Sequence, residues 1–410
     1  MNCIQRYTSG PHKIRWCAAV IILFFIHTVA FAQEKDSSES YAIRKDALDL
    51  YYKVIRKKNA VRSDTVRKIP GKLYPAFFIT PGYAVQSGLD INFSNVTAIY
   101  LSKSANISSV LTYISFTQKN QIIIPLLSNI FTKDNRWNFQ GNWYYLKYPV
   151  STFGLGNHTR DDNQLDLDFN TLRVNEFFLK KAGKYLYAGI GYNLSKYWNI
   201  KQGEKGSNTY YDLYGYAPGA VSSGLQLCLQ YDSRENSLNA NSSSYLNTSF
   251  LQNTQILGSN SNWSSLMIDA RHYIKFPQST DNVLAFWSYN ILSLSGRPPY
   301  LDLPANGWDE YSNTCRGYME GRYRGLSMID LESEYRIHFM KNDLIGAVVF
   351  GHVESYSTLP NRFNFDAVIP GGGVGLRVKI NKFSNTNLCI DYGFGLNGSR
   401  GLFFNLGEVF

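Results

Sequence analysis

Between residues 326 and 339 the chain alternates with a period of two. Ser327, Ile329, Leu331, Ser333, Tyr335, Ile337 and Phe339 fall on one face of an extended strand, and Met328, Asp330, Glu332, Glu334, Arg336 and His338 on the other, because successive strand side chains point to opposite sides. One face is mostly apolar and the other holds five ionisable groups. A soluble sandwich strand rarely charges its polar face so heavily. A transmembrane barrel strand, with lipid outside and a polar lumen inside, fits the pattern.

From about residue 74 onward the chain is a series of such segments, divided by Gly, Asn, Asp, Ser and Pro. The periodicity predicts strands over 87–101, 108–117, 121–132, 136–148, 165–180, 184–198, 224–232, 244–256, 262–276 and 282–294, then 326–339, 344–355, 371–380, 387–397 and 401–410. A short strand over 77–84 would make an even sixteen. The fold class read from this is all-β, a transmembrane antiparallel β-barrel of about sixteen strands with a short N-terminal periplasmic segment.

The C-terminal segments alternate most cleanly. Val374, Leu376, Val378 and Ile380 oppose Gly373, Gly375, Arg377 and Lys379, and Leu388, Ile390, Tyr392, Phe394 and Leu396 oppose Cys389, Asp391, Gly393, Gly395 and Asn397. The last segment puts Leu402, Phe404, Leu406 and Phe410 on one face. An aromatic end of this kind is what outer-membrane insertion machinery reads, so Phe404, Leu406 and Phe410 are the candidate insertion signal. Glu408 interrupts that face and is expected at the membrane interface. The first and last strands are expected to pair, since an unpaired backbone group in lipid costs several kcal/mol.

The N-terminus reads differently. Arg6, Lys13 and Arg15 precede the apolar run 17–25, and Ala30-Phe31-Ala32 offers a cleavage site, so residues 1–32 read as a secretory signal peptide. Residues 33–73 form a polar periplasmic leader. In it Ile43, Ala47, Leu50, Tyr51, Val54 and Ile55 recur at helical spacing, predicting either a short amphipathic helix or a partly disordered leader. The barrel occupies 74–410. Without the three basic residues of the signal, the 41 Lys and Arg against 31 Asp and Glu leave a net charge near +7. Much of that excess lies before Lys72, with no aromatic platform interleaved, so nucleic acid is not an expected partner. Thirty Tyr, 25 Phe and 7 Trp suit strands and the aromatic girdles of a membrane barrel. Cys228, Cys315 and Cys389 are odd in number and widely spaced, which is neither a disulfide framework nor a zinc spacing. No metal site and no cofactor is expected.

Arg316-Gly317-Tyr318, with five predicted strands after it, resembles the loop motif of the bacterial surface-antigen barrel superfamily, whose members include the barrel-assembly insertase and two-partner secretion transporters. Residues 148–157 (Tyr148-Pro149 through Gly156-Asn157) and 231–236 are similar to turns of its smaller members. The resemblance covers about residues 74 to 410 and implies a loop folded back into the lumen, with the Arg316 guanidinium on acids of the inner wall. Asp330, Glu332, Glu334 and Asp391 are the candidate partners. The family often has an acid in the strand matching 349–353 and an Arg where Cys389 stands; this chain has neither. Its insertases and transporters also carry POTRA modules before the barrel. Only about 40 residues separate Gln33 from the first strand, too few for one typical domain, so a barrel-only member is expected.

The function this implies is assembly, insertion or translocation of proteins or lipids at the outer membrane, with no enzyme activity. Expected partners are outer-membrane lipid and lipopolysaccharide, the barrel-assembly machinery during insertion, and a separate periplasmic protein supplying the missing modules. A porin-like channel for small solutes is the alternative, and an outer-membrane lipid-modifying enzyme a weaker one. For the latter His272 is the candidate base, but the sequence places no serine beside it. Asp166 and Asp168 lack the ligand density of a calcium loop. Gly371-Gly372-Gly373-Val374-Gly375 lacks the Lys-Ser/Thr of a phosphate loop and is expected to make room for the folded-back loop.

Overall fold

The computed structural model describes residues 69–410 together with 45–47 and 49, apart from 85, 204–213, 216, 310–311, 341, 360–363 and 383–384. The signal segment and most of the leader, including its helical pattern, lie outside the described residues. Seventeen strand segments follow one another: β1 (Leu73–Ala84), β2 (Gly88–Ile99), β3 (Ser108–Thr117), β4 (Ile122–Phe131), β5 (Trp137–Lys147), β6 (Val150–Thr152), β7 (Leu165–Lys181), β8 (Leu186–Gln202) and β9 (Gly219–Asp232). They continue as β10 (Ser243–Asn253), β11 (Trp263–Lys275), β12 (Val283–Gly296), β13 (Ser327–His338), β14 (Ile345–Ser357), β15 (Ile369–Asn381), β16 (Thr386–Gly395) and β17 (Arg400–Leu406).

Every ladder is antiparallel and joins neighbours in the chain. The single exception is at β5 and β6, which both pair with β7: Trp137–Lys147 lies along Asn170–Lys180, and Val150–Thr152 along Leu165–Leu167. They are one strand broken at Tyr148-Pro149, where proline cannot donate to the ladder. Seventeen segments therefore occupy sixteen places in the wall.

The two faces of the wall are inverted relative to a water-soluble sheet. In β9, Leu225, Leu227 and Leu229 are 60, 61 and 45% exposed, while Gln226, Cys228 and Gln230 between them are buried. β13 repeats this, with Leu331 outside and Asp330, Glu332, Glu334 and Arg336 buried. Apolar side chains out and polar ones in is the arrangement lipid selects. Among the described residues no helix is long and apolar enough to cross a membrane.

The interior is filled from both ends. The described residues of 297–326, between β12 and β13, fold inward and set Tyr300, Leu301 and Leu303 against Leu165, Leu167, Phe169 and Tyr197 of the wall. Tyr318 and Tyr323 pack with Met328, Tyr356 and Ile369. Burying side chains of this size contributes roughly 1.5–3 kcal/mol each.

At the opposite end the C-terminus corrects two expectations. β17 stops at Leu406, and Gly407, at a φ of 89° that glycine adopts without penalty, turns the chain off the wall. Glu408 is therefore not an interface residue and Phe410 is not on the outer face. Val409 and Phe410 are both 3% exposed and join Trp287, Val283 and Ala285 inside, with the Phe410 and Trp287 rings 5.2 Å apart. Inside, Glu408 Oε2 lies 2.7 Å from Arg377 Nε and 3.7 Å from Arg336 Nε. Of the candidate insertion signal, Phe404 and Leu406 stay in β17, Phe404 half-buried and Leu406 46% exposed.

The second correction concerns closure. β17 comes within 8 Å of β1 between Cα atoms, but no ladder joins them among the described residues. With seven residues against twelve and its continuation turned inward, β17 leaves a seam. The described part of the leader lies at the end where β17 finishes: Lys45 N donates to Asn342 O at 2.9 Å, and Lys382 Nζ lies 2.9 Å from Asp49 Oδ2.

Candidate functional site

The loop motif sits at the centre of a buried ion-pair network. Arg316 places Nη2 2.5 Å from Glu334 Oε1 and Nη1 2.5 Å from Asp391 Oδ2. Glu332 Oε2 is 3.5 Å from Nη2. None of these side chains is more than 2% exposed. Arg carries this position well because its rigid donor fork spans two carboxylates on different strands. The guanidinium also lies over the Phe350 ring, 3.8 Å from its centroid.

Of the four acids considered from sequence, Glu334 and Asp391 hold Arg316 and Glu332 flanks it. Asp330 does not reach it. It faces Cys315 instead, with Cys315 Sγ 3.6 Å from its Oδ1.

Arg336 and Arg377 extend the network. Arg336 Nε is 2.8 Å from Glu334 Oε2, Arg377 Nη1 pairs with Asp391 Oδ1, and Arg377 Nε donates to Glu408 Oε2 at 2.7 Å. Arg336 Nη2 also donates to Phe410 O at 2.8 Å. Arg377 stands directly across the ladder from Cys389. Both arginines were legible on the lumen faces; Glu408 was missed because the alternation was carried past Gly407.

Close backbone contact holds the motif. Gly317 has a φ of 119°, and a Cβ there would meet the Phe394 backbone at 2.8 Å. On β16, a Cβ at Gly393 would lie 2.6 Å from Gly317 N, and one at Gly395 2.4 Å from the Tyr318 ring. The room for the loop is thus on β16. The β15 glycines make room for side chains: Gly371 for His352, Gly373 for Phe350 and Gly375 for Asp391. Tyr318 Oη donates to Pro370 O at 2.5 Å and accepts Leu396 N at 2.8 Å, while Ser399 Oγ donates to Gly317 O at 2.7 Å.

Both turn motifs serve these interior segments. Tyr148 Oη donates to Glu320 Oε2 at 2.8 Å, and Gly156 N to Arg324 O at 2.8 Å. In the 231–236 turn Asp232 holds Arg234 at 3.0 Å, and nearby Leu238 O accepts Glu408 N at 2.8 Å. Loop and C-terminus meet where Asn313 Nδ2 donates to Val409 O at 2.7 Å.

The register corrects the reading of His272. Ser244 stands opposite it across β10 and β11, with Oγ 2.8 Å from Nδ1 on the outer face. On its other side His272 faces Phe286, and among the described residues no carboxylate pairs with it, unlike the oriented base of a nucleophile–base dyad. Asp166, at the start of β7 opposite Ser151, accepts Ser151 Oγ at 2.6 Å and Gln164 Nε2 at 3.0 Å on its Oδ1.

No protein-family profile and no curated protein sequence matches the chain. Solved structures do. BamA from Haemophilus ducreyi lacking POTRA domains 1–3 is similar with a TM-score of 0.56 and 15% identity over 82% of this chain and 70% of that one. CdiB from Escherichia coli gives 0.53 at 10% identity, and CdiB from Acinetobacter baumannii 0.51 at 12%. Each covers 82% of this chain, which spans 63% and 59% of those two. The chain shares the barrel fold of these structures.

Proposed function

We propose that this chain is an integral outer-membrane barrel that assists insertion or secretion of other proteins at the outer membrane, with its lumen closed at rest by residues 297–326. The observation that carries this reading is the double pairing of Arg316 with Glu334 and Asp391 at 2.5 Å, which fixes the loop in the space a solute pore would need. The seam between β1 and β17 supports it: an unpaired strand edge is a template on which another strand can form. The long loops, including 297–326, would face outward, and the described leader residues and C-terminus inward toward the periplasm. Its partners there would be membrane lipid, nascent barrel chains and a separate periplasmic protein.

Reconstitution tests this. Proteoliposomes carrying the chain should fold a urea-unfolded barrel client faster than empty liposomes, read by heat-modifiable gel migration, and planar bilayers should show no large steady conductance. Steady ion-conducting openings without client folding would overturn the proposal in favour of the porin-like channel.

A further inference from the structure

Beside the arginine latch, the lumen wall carries a second constellation that the latch does not use. Asp330 on β13 stands directly opposite Glu354 on β14, and Glu332 directly opposite His352. Cys315, at the loop tip, lies over this patch: its N donates to Glu332 Oε1 at 2.8 Å, and its Sγ lies 2.6 Å from Glu354 Oε2 and 3.6 Å from Asp330 Oδ1. Cys315 Sγ, an Asp330 oxygen and a His352 ring nitrogen all lie within 4.8 Å of one another. All five residues are buried.

The patch is short of positive charge and of hydrogen bonds. Opposed carboxylates on adjacent strands repel, and Arg316, held by Glu334 and Asp391, reaches only Glu332 of this patch, at 3.5 Å. Asp330 Oδ2, Glu354 Oε1 and His352 Nδ1 have no hydrogen-bond partner among the described residues, although Asp330 and Glu354 are 0–1% and His352 4% exposed. Buried polar atoms are ordinarily satisfied. His352 is positioned by its other nitrogen, Nε2, 3.1 Å from Arg316 O, and by the missing side chain of Gly371, whose Cβ would lie 2.3 Å from it.

We infer that Cys315, His352, Asp330 and Glu354 form a site for a divalent transition cation of the zinc class. Thiolate, imidazole and carboxylate together select a borderline-soft ion and not Ca²⁺ or Mg²⁺, which take oxygen ligands. Donors around a tetrahedral ion with bonds of about 2.0–2.3 Å stand roughly 3.3–3.8 Å apart, so the set closes on the ion by small rotations. The ion displaces the thiol proton: Cys–SH and M²⁺ give the Cys–S–M⁺ unit and H⁺, which leaves to solvent. Since Cys315 belongs to the loop and the other donors to β13 and β14, occupancy would tether the loop to the wall one residue from Arg316. The site rests on lumen geometry and is independent of the transport reading.

The test uses the full chain in detergent micelles, stripped with chelator and titrated with Co²⁺ and then Zn²⁺. Co²⁺ should give thiolate-to-cobalt charge-transfer absorption at one equivalent, and Zn²⁺ should bleach it. Cys315→Ser should abolish that band, and His352→Gln should weaken binding at least about tenfold, each in protein that keeps its heat-modifiable migration. No band in folded wild-type protein would overturn the site. So would a band that survives Cys315→Ser, since Cys228 or Cys389 would then be its source.

Discussion

Arg316 Nη1 lies 2.5 Å from Oδ2 of Asp391, a residue 75 positions later in the chain and on the opposite side of a loop-to-wall contact. The contact is one half of a bridge whose other half is Glu334. A buried arginine that spans two strands in this way is a latch, because it ties the loop to two places in the wall at once, while Glu334 and Asp391 also hold Arg336 and Arg377.

Arg316→Ala should release the loop while leaving the barrel folded. Breaking a buried pair by removing one partner costs up to about 3–5 kcal/mol, and the cost to docking is lower here because Arg336 and Arg377 still face Glu334 and Asp391. Limited proteolysis should then cut within residues 297–326, while gel migration stays heat-modifiable. Unchanged cleavage would mean the loop is held without its latch.

Gly393→Ala should have a similar outcome for a different reason. Its Cβ would lie 2.6 Å from Gly317 N and 2.7 Å from the Arg316 carbonyl carbon, and backbone cannot swing aside. Overpacking of this kind costs about 1–3 kcal/mol. Gly351→Ala, whose Cβ meets nothing nearer than 3.8 Å, is the control and should leave cleavage unchanged.

Loop docking should weaken as pH rises from about 4.5 to about 7. Burial pushes the Glu320 carboxyl from its ordinary 4.5 up to about 7; Asp309 adds to this, and the Tyr148 hydrogen bond and Arg324 oppose it. The docked loop therefore holds more protons than the released loop within that window, and linkage makes the stabilisation complete below it and lost above it. Protease sensitivity of 297–326 at pH 5 and pH 8 measures the effect. Glu320→Gln should reduce it, and a slope unchanged in that variant would show that Glu320 does not carry it.

Leu376→Arg should destabilise the wall by roughly 2–4 kcal/mol if it lies near the bilayer midplane. Leu376 is 43% exposed and sits opposite Ile390 on the outer face. A denaturant midpoint equal to that of the unsubstituted protein in the same lipid would mean that this face does not meet hydrocarbon.

The wall was legible because lipid and lumen impose a period of two on every strand. β13 reads correctly residue by residue, from Ser327 to His338. The latch was legible only through a short resemblance, and its acids only because Glu334 and Asp391 fall on lumen faces. What escaped was decided by events off the period. Gly407 ends the alternation and redirects Glu408 and Phe410, and β5 and β6 split one place in two. The cation constellation escaped for a related reason. Cys315, Asp330 and His352 come from a loop and two strands, so no spacing in the chain marks them.

The two halves of the latch come from unequal distances along the chain. Glu334 lies 18 positions after Arg316, and Asp391 lies 75 positions after it, on β16. A wall without β16 would offer Arg316 the β13 carboxylates alone. A fully docked Arg316 therefore requires the penultimate strand in place.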